Sequence, residues 1–136
     1  IELTYKIITM TENEIATIVF QCGLKVHKEL GPGLLEKIYE ECLCIELKNA
    51  LINYEQQKLI PINYNGNQLK THFQADLIIE NKVLVEIKSV SEISPIHHAQ
   101  LLTYLKLTNP KLGLLINFNV PLFKNGFKRV ILGEID

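Results

Sequence analysis

The chain reads as an α/β (α+β) domain built on one mixed β-sheet flanked by helices, and three observations point there. Two helical patterns open the chain, three alternating apolar segments follow, and a further helical pattern then separates two strand-like runs. That last helix, lying between Lys88 and Leu112, is long enough to carry a parallel crossover.

Thr11-Glu12-Asn13-Glu14 has the form of a capping box, and Ile15, Ile18, Val19, Cys22, Val26 and Leu30 follow at helical spacing. The helix stops at Gly31-Pro32-Gly33, where glycine accepts a left-handed cap and proline cannot continue the ladder. A second helix is expected over 34–48, with Leu35, Ile38, Cys42 and Ile45 on its apolar face and Glu40 and Glu41 in water. Leu59, Ile60 and Ile62 lead to Tyr64 and then to Asn65-Gly66, a strong hairpin signal. Strands flank that turn, the second over 69–79, and Glu80-Asn81-Lys82 separates it from a third over 83–88. Ser94-Pro95 reads as the N-cap and first residue of a helix reaching about 107, ended before Asn109-Pro110. A buried strand is expected over 112–118 and a last strand over 127–132, joined by a mobile loop over 119–126 that contains Pro121 and Gly126.

With 136 residues the chain makes one domain, 11–136, preceded by an N-terminal extension, 1–10, because the sole methionine, Met10, directly precedes the first helix. A composition 47% hydrophobic and 21% charged excludes disorder. No apolar run approaches a membrane span and the first residues lack a signal-peptide pattern, so a cytoplasmic location with no membrane partner is expected. Cys22, Cys42 and Cys44 are odd in number and have no zinc spacing with the histidines, which makes them free thiols. The net charge of −1 and the single arginine, Arg129, count against a dedicated duplex binder. A local groove supplied by Lys124, Lys128 and Arg129 would still serve an enzyme.

The polar positions between the central strands carry the chemistry. A three-residue loop sets Ile79 opposite Val83 and, pairing outward, Asp76 opposite Glu86 on one face. Alternation adds Lys88 to that face and turns Ile87 away, whereas a two-residue loop would part the carboxylates. Two carboxylates so close repel each other, a divalent cation between them removes the repulsion, and oxygen ligands favour Mg²⁺ or Mn²⁺ over zinc. From spacing alone, a solvated cross-strand ion pair is the plainer alternative. Against it stand Leu77-Ile78-Ile79 and Val83-Leu84-Val85, which look like central strands covered on both faces, where charges seldom occur without a task. His97 and His98 point to different helix faces and cannot chelate one metal together, and His98 is expected no closer to the site than behind its ligands. His27 and His72 are expected to be hydrogen-bonded structural histidines.

The chain resembles the small bacterial GxxExxY proteins of the PD-(D/E)xK nuclease-like superfamily. The motif stands as Gly33-Leu34-Leu35-Glu36-Lys37-Ile38-Tyr39, with His27 to Gly33 before it. Ala75-Asp76-Leu77, Glu86-Ile87-Lys88, Ala99-Gln100-Leu101-Leu102-Thr103-Tyr104-Leu105 and Leu114-Leu115-Ile116-Asn117-Phe118 follow in order, so the likeness runs over about 12–132. It implies a restriction-endonuclease-like fold and Mg²⁺-dependent (or Mn²⁺-dependent) hydrolysis of phosphodiester bonds in nucleic acid, with DNA ahead of RNA. It further implies that Asp76 and Glu86 bind the metal, that Glu36 completes the metal shell, and that Lys88 orients or deprotonates the attacking water. Gln100 and Tyr104 resemble the motif after the active hairpin in RecB-like nucleases, and their i,i+4 spacing gives one helix face toward the substrate backbone. Asp76, Glu86, Lys88, Glu36 and Gln100 are thus the expected catalytic set, and Tyr104, Tyr39, Lys128 and Arg129 the expected substrate contacts. The chain departs from the pattern at Gln74, where an arginine is expected, and at Ala75, where the superfamily's name has proline.

Two other readings stay open. One is a non-catalytic nucleic-acid or protein interaction module that keeps the nuclease-like fold; the near-neutral charge and Gln74 favour it. The other is a metal-dependent hydrolase of a non-nucleic substrate. The many apolar strand residues in so small a chain leave a homodimer open.

Overall fold

The computed structural model describes residues 9–135, so most of the expected N-terminal extension lies outside the described residues. The described part of that extension is tied to the domain: Met10 packs against the core, and its carbonyl accepts a bond from Lys82 Nζ at 2.6 Å.

Helix α1 (Glu12–Leu30) begins where Thr11 Oγ1 accepts the Glu14 N–H at 3.1 Å and ends where Gly31, at φ +69°, donates to the His27 carbonyl. Helix α2 (Glu36–Asn49) follows, then β1 (Tyr54–Tyr64), β2 (Asn67–Ile79) and β3 (Val83–Lys88). Asn65 and Gly66 both take positive φ, 47° and 78°, as the tight hairpin between β1 and β2 requires. Helix α3 (Pro95–Leu107) starts after Ser94, and β4 (Leu112–Asn117), α4 (Phe123–Gly126) and β5 (Phe127–Ile131) complete the chain. The five strands form one sheet in the order β1-β2-β3-β4-β5, with β3 and β4 parallel and the other neighbours antiparallel. This is a mixed α+β sheet with helices on both faces, as a restriction-endonuclease-like domain requires. The 119–126 segment differs from the loop expected there: it contains α4, whose Phe123 is buried against Phe118.

Helices α1, α2 and α4 cover one face through Ile15, Val19, Leu43, Leu47 and Phe123, which meet Leu77, Val85, Ile87, Leu114 and Ile116. Helix α3 covers the other, with Leu101 and Leu105 against Ile78, Leu84, Leu115 and Val130. A Cβ at Gly113 would lie 2.8 Å from Leu101 side-chain carbons, so its absence is what lets α3 sit this close to β4.

The buried face of α2 is not the expected one. Leu35 and Ile45 are 73% and 58% exposed, while Tyr39, Glu40, Leu43, Cys44 and Leu47 face inward. Two apolar stripes lie about a third of a turn apart on this helix, and spacing cannot choose between them. Tyr39 chooses: its ring stacks on Phe118 at 4.5 Å, its hydroxyl donates to the Gly31 carbonyl at 2.6 Å, and it accepts the Leu34 N–H at 3.1 Å. The same rotation carries Glu40 inside, contrary to its expected place in water, where it accepts from Gln56, Gln57 and Lys37.

The hairpin β1–β2 turns over along its length. Phe73, Ala75 and Ile78 pack toward α3 while Leu77 and Ile79 pack toward α1 and α2, so side-chain alternation along β2 fails at Asp76. On β1, Tyr54 packs with the α1–α2 core and Ile60 and Ile62 with α3, and the residue between them at the level of Asp76 is Gln57, at φ +53°. A glutamine held in the left-handed region costs on the order of 1 kcal/mol or more and persists only where its surroundings enforce it. Here those surroundings are two carboxylates that need its amide.

Candidate active site

The register is the one the three-residue loop implies: Ile79 opposes Val83, Ile78 opposes Leu84 and Leu77 opposes Val85. One step further out the ladder ends, and the Ile87 N–H donates instead to Asp76 Oδ2 at 2.8 Å. Asp76 Oδ1 accepts from Gln57 Nε2 at 3.3 Å, and the same amide nitrogen donates to Glu40 Oε1 at 2.8 Å. Glu40 is thus joined to Asp76 through one side chain.

Glu86 lies on the neighbouring strand, and its Oε1 is buried without a hydrogen-bond partner. Burial and the nearby Asp76 charge push its carboxyl up to about 8, with Lys88 partly offsetting them. Asp76 is also raised, chiefly by burial, and is held back by the Ile87 N–H and by Gln57. A buried carboxylate oxygen with no donor costs free energy in the ligand-free protein. A hard divalent cation is the partner such an oxygen lacks, so this donor pair fits Mg²⁺ or Mn²⁺. Among the described residues no three His, Cys, Asp or Glu side chains gather into a ready-made cage, so such an ion would rest on two carboxylates plus water and substrate oxygens, the usual habit of Mg²⁺.

Glu86 and Lys88 open on a cavity of about 100 Å³, shared with Phe73, His97, Gln100 and Tyr104. Gln100 and Tyr104 therefore meet the Glu86–Lys88 edge from α3, and the Tyr104 ring stacks on Phe73 at 3.7 Å. Asn117, opposite Lys88 on β4, clamps the strand exit: Val90 N–H donates to its Oδ1 at 3.1 Å and its Nδ2 donates to the Val90 carbonyl at 2.9 Å.

Glu36 begins α2 and its Oε1 accepts the Ser89 N–H at 3.4 Å, just past Lys88. Ser89 Oγ donates to the Leu34 carbonyl at 2.5 Å, so the start of α2 is tied to the end of β3. Glu36 is near enough to Glu86 to add to the rise in its pKa. The remaining expected residues separate from this group. Tyr39, an expected substrate contact, is fully buried with its hydroxyl engaged twice by backbone, which makes it a core residue. Lys128 and Arg129 are exposed neighbours on β5 opposite Leu115 and Leu114, which face opposite sides of the sheet, so the two cations do not line one groove. Arg129 instead bonds Asn13 of α1. His27 is buried with Nε2 on the Val120 carbonyl at 2.7 Å, a structural role as expected. His98 is exposed, while its neighbour His97, for which no role was expected, faces the cavity.

Sequence reasoning missed Glu40, Gln57 and His97. Gln57 gives no signal, because a glutamine in a strand says nothing of its backbone conformation. His97 did carry one: three residues after an N-cap serine, it sits where a capping box places a side chain back toward the helix start.

The family profile described as the PD-(D/E)XK nuclease superfamily matches residues 13–130. Among curated proteins none matches the chain. A solved structure, the crystal structure of SSO0001, aligns with a TM-score of 0.49 and 25% identity over 88% of this chain; the chain spans 66% of that protein's length. The family match runs from α1 to β5 and takes in the paired strands that carry Asp76, Glu86 and Lys88, and on it the chain belongs to the PD-(D/E)XK nuclease superfamily.

Proposed function

We propose that the protein is a divalent-metal-dependent nuclease that hydrolyses phosphodiester bonds in nucleic acid, with DNA ahead of RNA. The observation that carries the reading is the buried, unpartnered Oε1 of Glu86, one strand from Asp76 and in one cavity with Lys88, Gln100 and Tyr104. Mg²⁺ or Mn²⁺, held by Asp76 and Glu86 with Glu36 near, would supply positive charge to the scissile phosphate and acidity to a water. To take that role Glu86 would give up the proton that its raised pKa lets it hold near neutral pH. Lys88 Nζ either orients the attacking water by donating a hydrogen bond to it or, as a neutral amine, takes a proton from it. Gln100 and the Tyr104 hydroxyl hold the substrate backbone from the α3 side, and Gln57 holds Asp76 in place.

The test is cleavage of labelled single- and double-stranded DNA and RNA with Mg²⁺ or Mn²⁺, by wild type, Asp76→Ala and Glu86→Ala. The reading predicts metal-dependent cleavage by wild type, with each variant slower by at least about three orders of magnitude. Metal-independent cleavage, or equal rates in all three proteins, contradicts it. A second reading, an interaction module that binds without cutting, is favoured by the −1 net charge and by the separation of Lys128 from Arg129. It predicts binding of nucleic acid or protein that Asp76→Ala and Glu86→Ala leave unchanged.

A further inference from the structure

His97 is the third residue of α3, the position that in a capping box is ordinarily Glu or Gln reaching back to the N-cap backbone. It performs that task with one ring nitrogen: the Ser94 N–H donates to His97 Nδ1 at 3.2 Å. An Nδ1 that accepts a hydrogen bond carries no proton, so the ring proton sits on Nε2. A glutamine would satisfy the helix start equally well and leave nothing over. The imidazole leaves a second nitrogen, fixed as a donor, on a ring that lines the cavity containing Glu86, Lys88, Gln100 and Tyr104.

We infer that His97 is a further substrate-contacting residue, whose Nε2–H donates a hydrogen bond to a phosphate oxygen of the nucleic-acid strand bound against Glu86 and Lys88. This rests on the nuclease reading for the identity of the ligand, but not on catalysis, since it moves no proton and breaks no bond. Lys88 brings charge to the same cavity; His97 brings a directed donor whose orientation the helix start has already set. It is a donor of the kind whose removal costs about 10²-fold in rate when it acts on the transition state.

The informative variant is His97→Gln, which keeps the capping bond and removes the ring donor. Thermal midpoint, kcat, KM and the affinity for a short single-stranded DNA, measured with Ca²⁺ replacing Mg²⁺, are compared in wild type and variant. Alongside them, the long-range ¹H–¹⁵N spectrum of the wild-type His97 imidazole is followed as the same DNA is added. The expected result is an unchanged midpoint, a kcat lower by about 10²-fold or a Kd weaker by about tenfold, and an Nε2–H signal that shifts with the DNA. An unchanged rate, affinity and midpoint in His97→Gln, with a wild-type imidazole indifferent to DNA, overturns the inference and leaves His97 a helix cap. If wild type binds DNA and shifts the His97 signal but cuts nothing, catalysis fails and the contact stands. If His97→Gln does not fold, the wild-type spectrum decides alone, an unmoved signal overturning the contact and a shifted one supporting it.

Discussion

Glu86 couples the stability of this protein to pH. Its carboxyl titrates at about 8 in the fold against an ordinary value of 4.5, so between those values the native protein holds a proton that the unfolded chain has lost. Ligand-free stability therefore falls as pH rises through that window and levels off above it, by on the order of a few kcal/mol. Asp76, also raised, adds to the fall with the same sign. Thermal melts from pH 5 to pH 9 should show the midpoint dropping by roughly ten degrees in wild type, and Glu86→Gln should flatten most of that slope. If the deprotonated pair holds Mg²⁺ or Mn²⁺ as proposed, the ion should stabilise the protein most at the alkaline end. Wild-type melts that do not depend on pH would refute the buried, partnerless state of Glu86. The register of β2 against β3 was legible because a three-residue loop sets Ile79 opposite Val83, whereas the end of that ladder before Asp76 was not. The rise in the Glu86 pKa was not, since it depends on the depth of burial.

At the scale of elements, the fit between α2 and the sheet and the kink in β1 position the site. Removing the Tyr39 hydroxyl strands a donor at Leu34 and an acceptor at Gly31, and Tyr39→Phe should cost about 1–3 kcal/mol in chemical denaturation. A variant as stable as wild type would show that the turn needs no such tie. Gln57 bridges Glu40 and Asp76 from a backbone position that costs energy to hold. Gln57→Ala should weaken Mn²⁺ binding about 10-fold or more, the usual effect of losing a group that orients a metal ligand. Unchanged Mn²⁺ affinity in that variant would reduce Gln57 to a structural bridge between strand and helix. Helix starts, hairpins and the parallel crossover could be read from capping residues, turn residues and spacing. The inward face of α2 could not, because two apolar stripes compete on it and the choice is made by Tyr39 meeting Phe118, far away in sequence.

Across the whole molecule, the site lies where α2, the central strands and α3 meet, so its assembly depends on both faces of the sheet being correctly docked. The α3 side depends on Gly113, where a Cβ would meet Leu101 at 2.8 Å. Gly113→Val should push α3 outward and destabilise by about 1–3 kcal/mol. It should also lower nucleic-acid affinity, while leaving Mn²⁺ binding at Asp76 and Glu86 nearly unchanged. Loss of both together would mean that the cavity and the carboxylate pair are one cooperative unit. The −1 net charge leaves no broad basic field to attract a polyanion, so under the proposed function recognition would fall to the local groups around Lys88, Gln100 and Tyr104. The most direct test of the central claim, that Asp76 and Glu86 form a divalent-metal site, is calorimetric titration of Mn²⁺ into wild type and into the Asp76→Ala, Glu86→Ala double variant at pH 8. Saturable binding is expected in wild type, and its loss in the double variant. Equal binding in both proteins, or none in either, would contradict it.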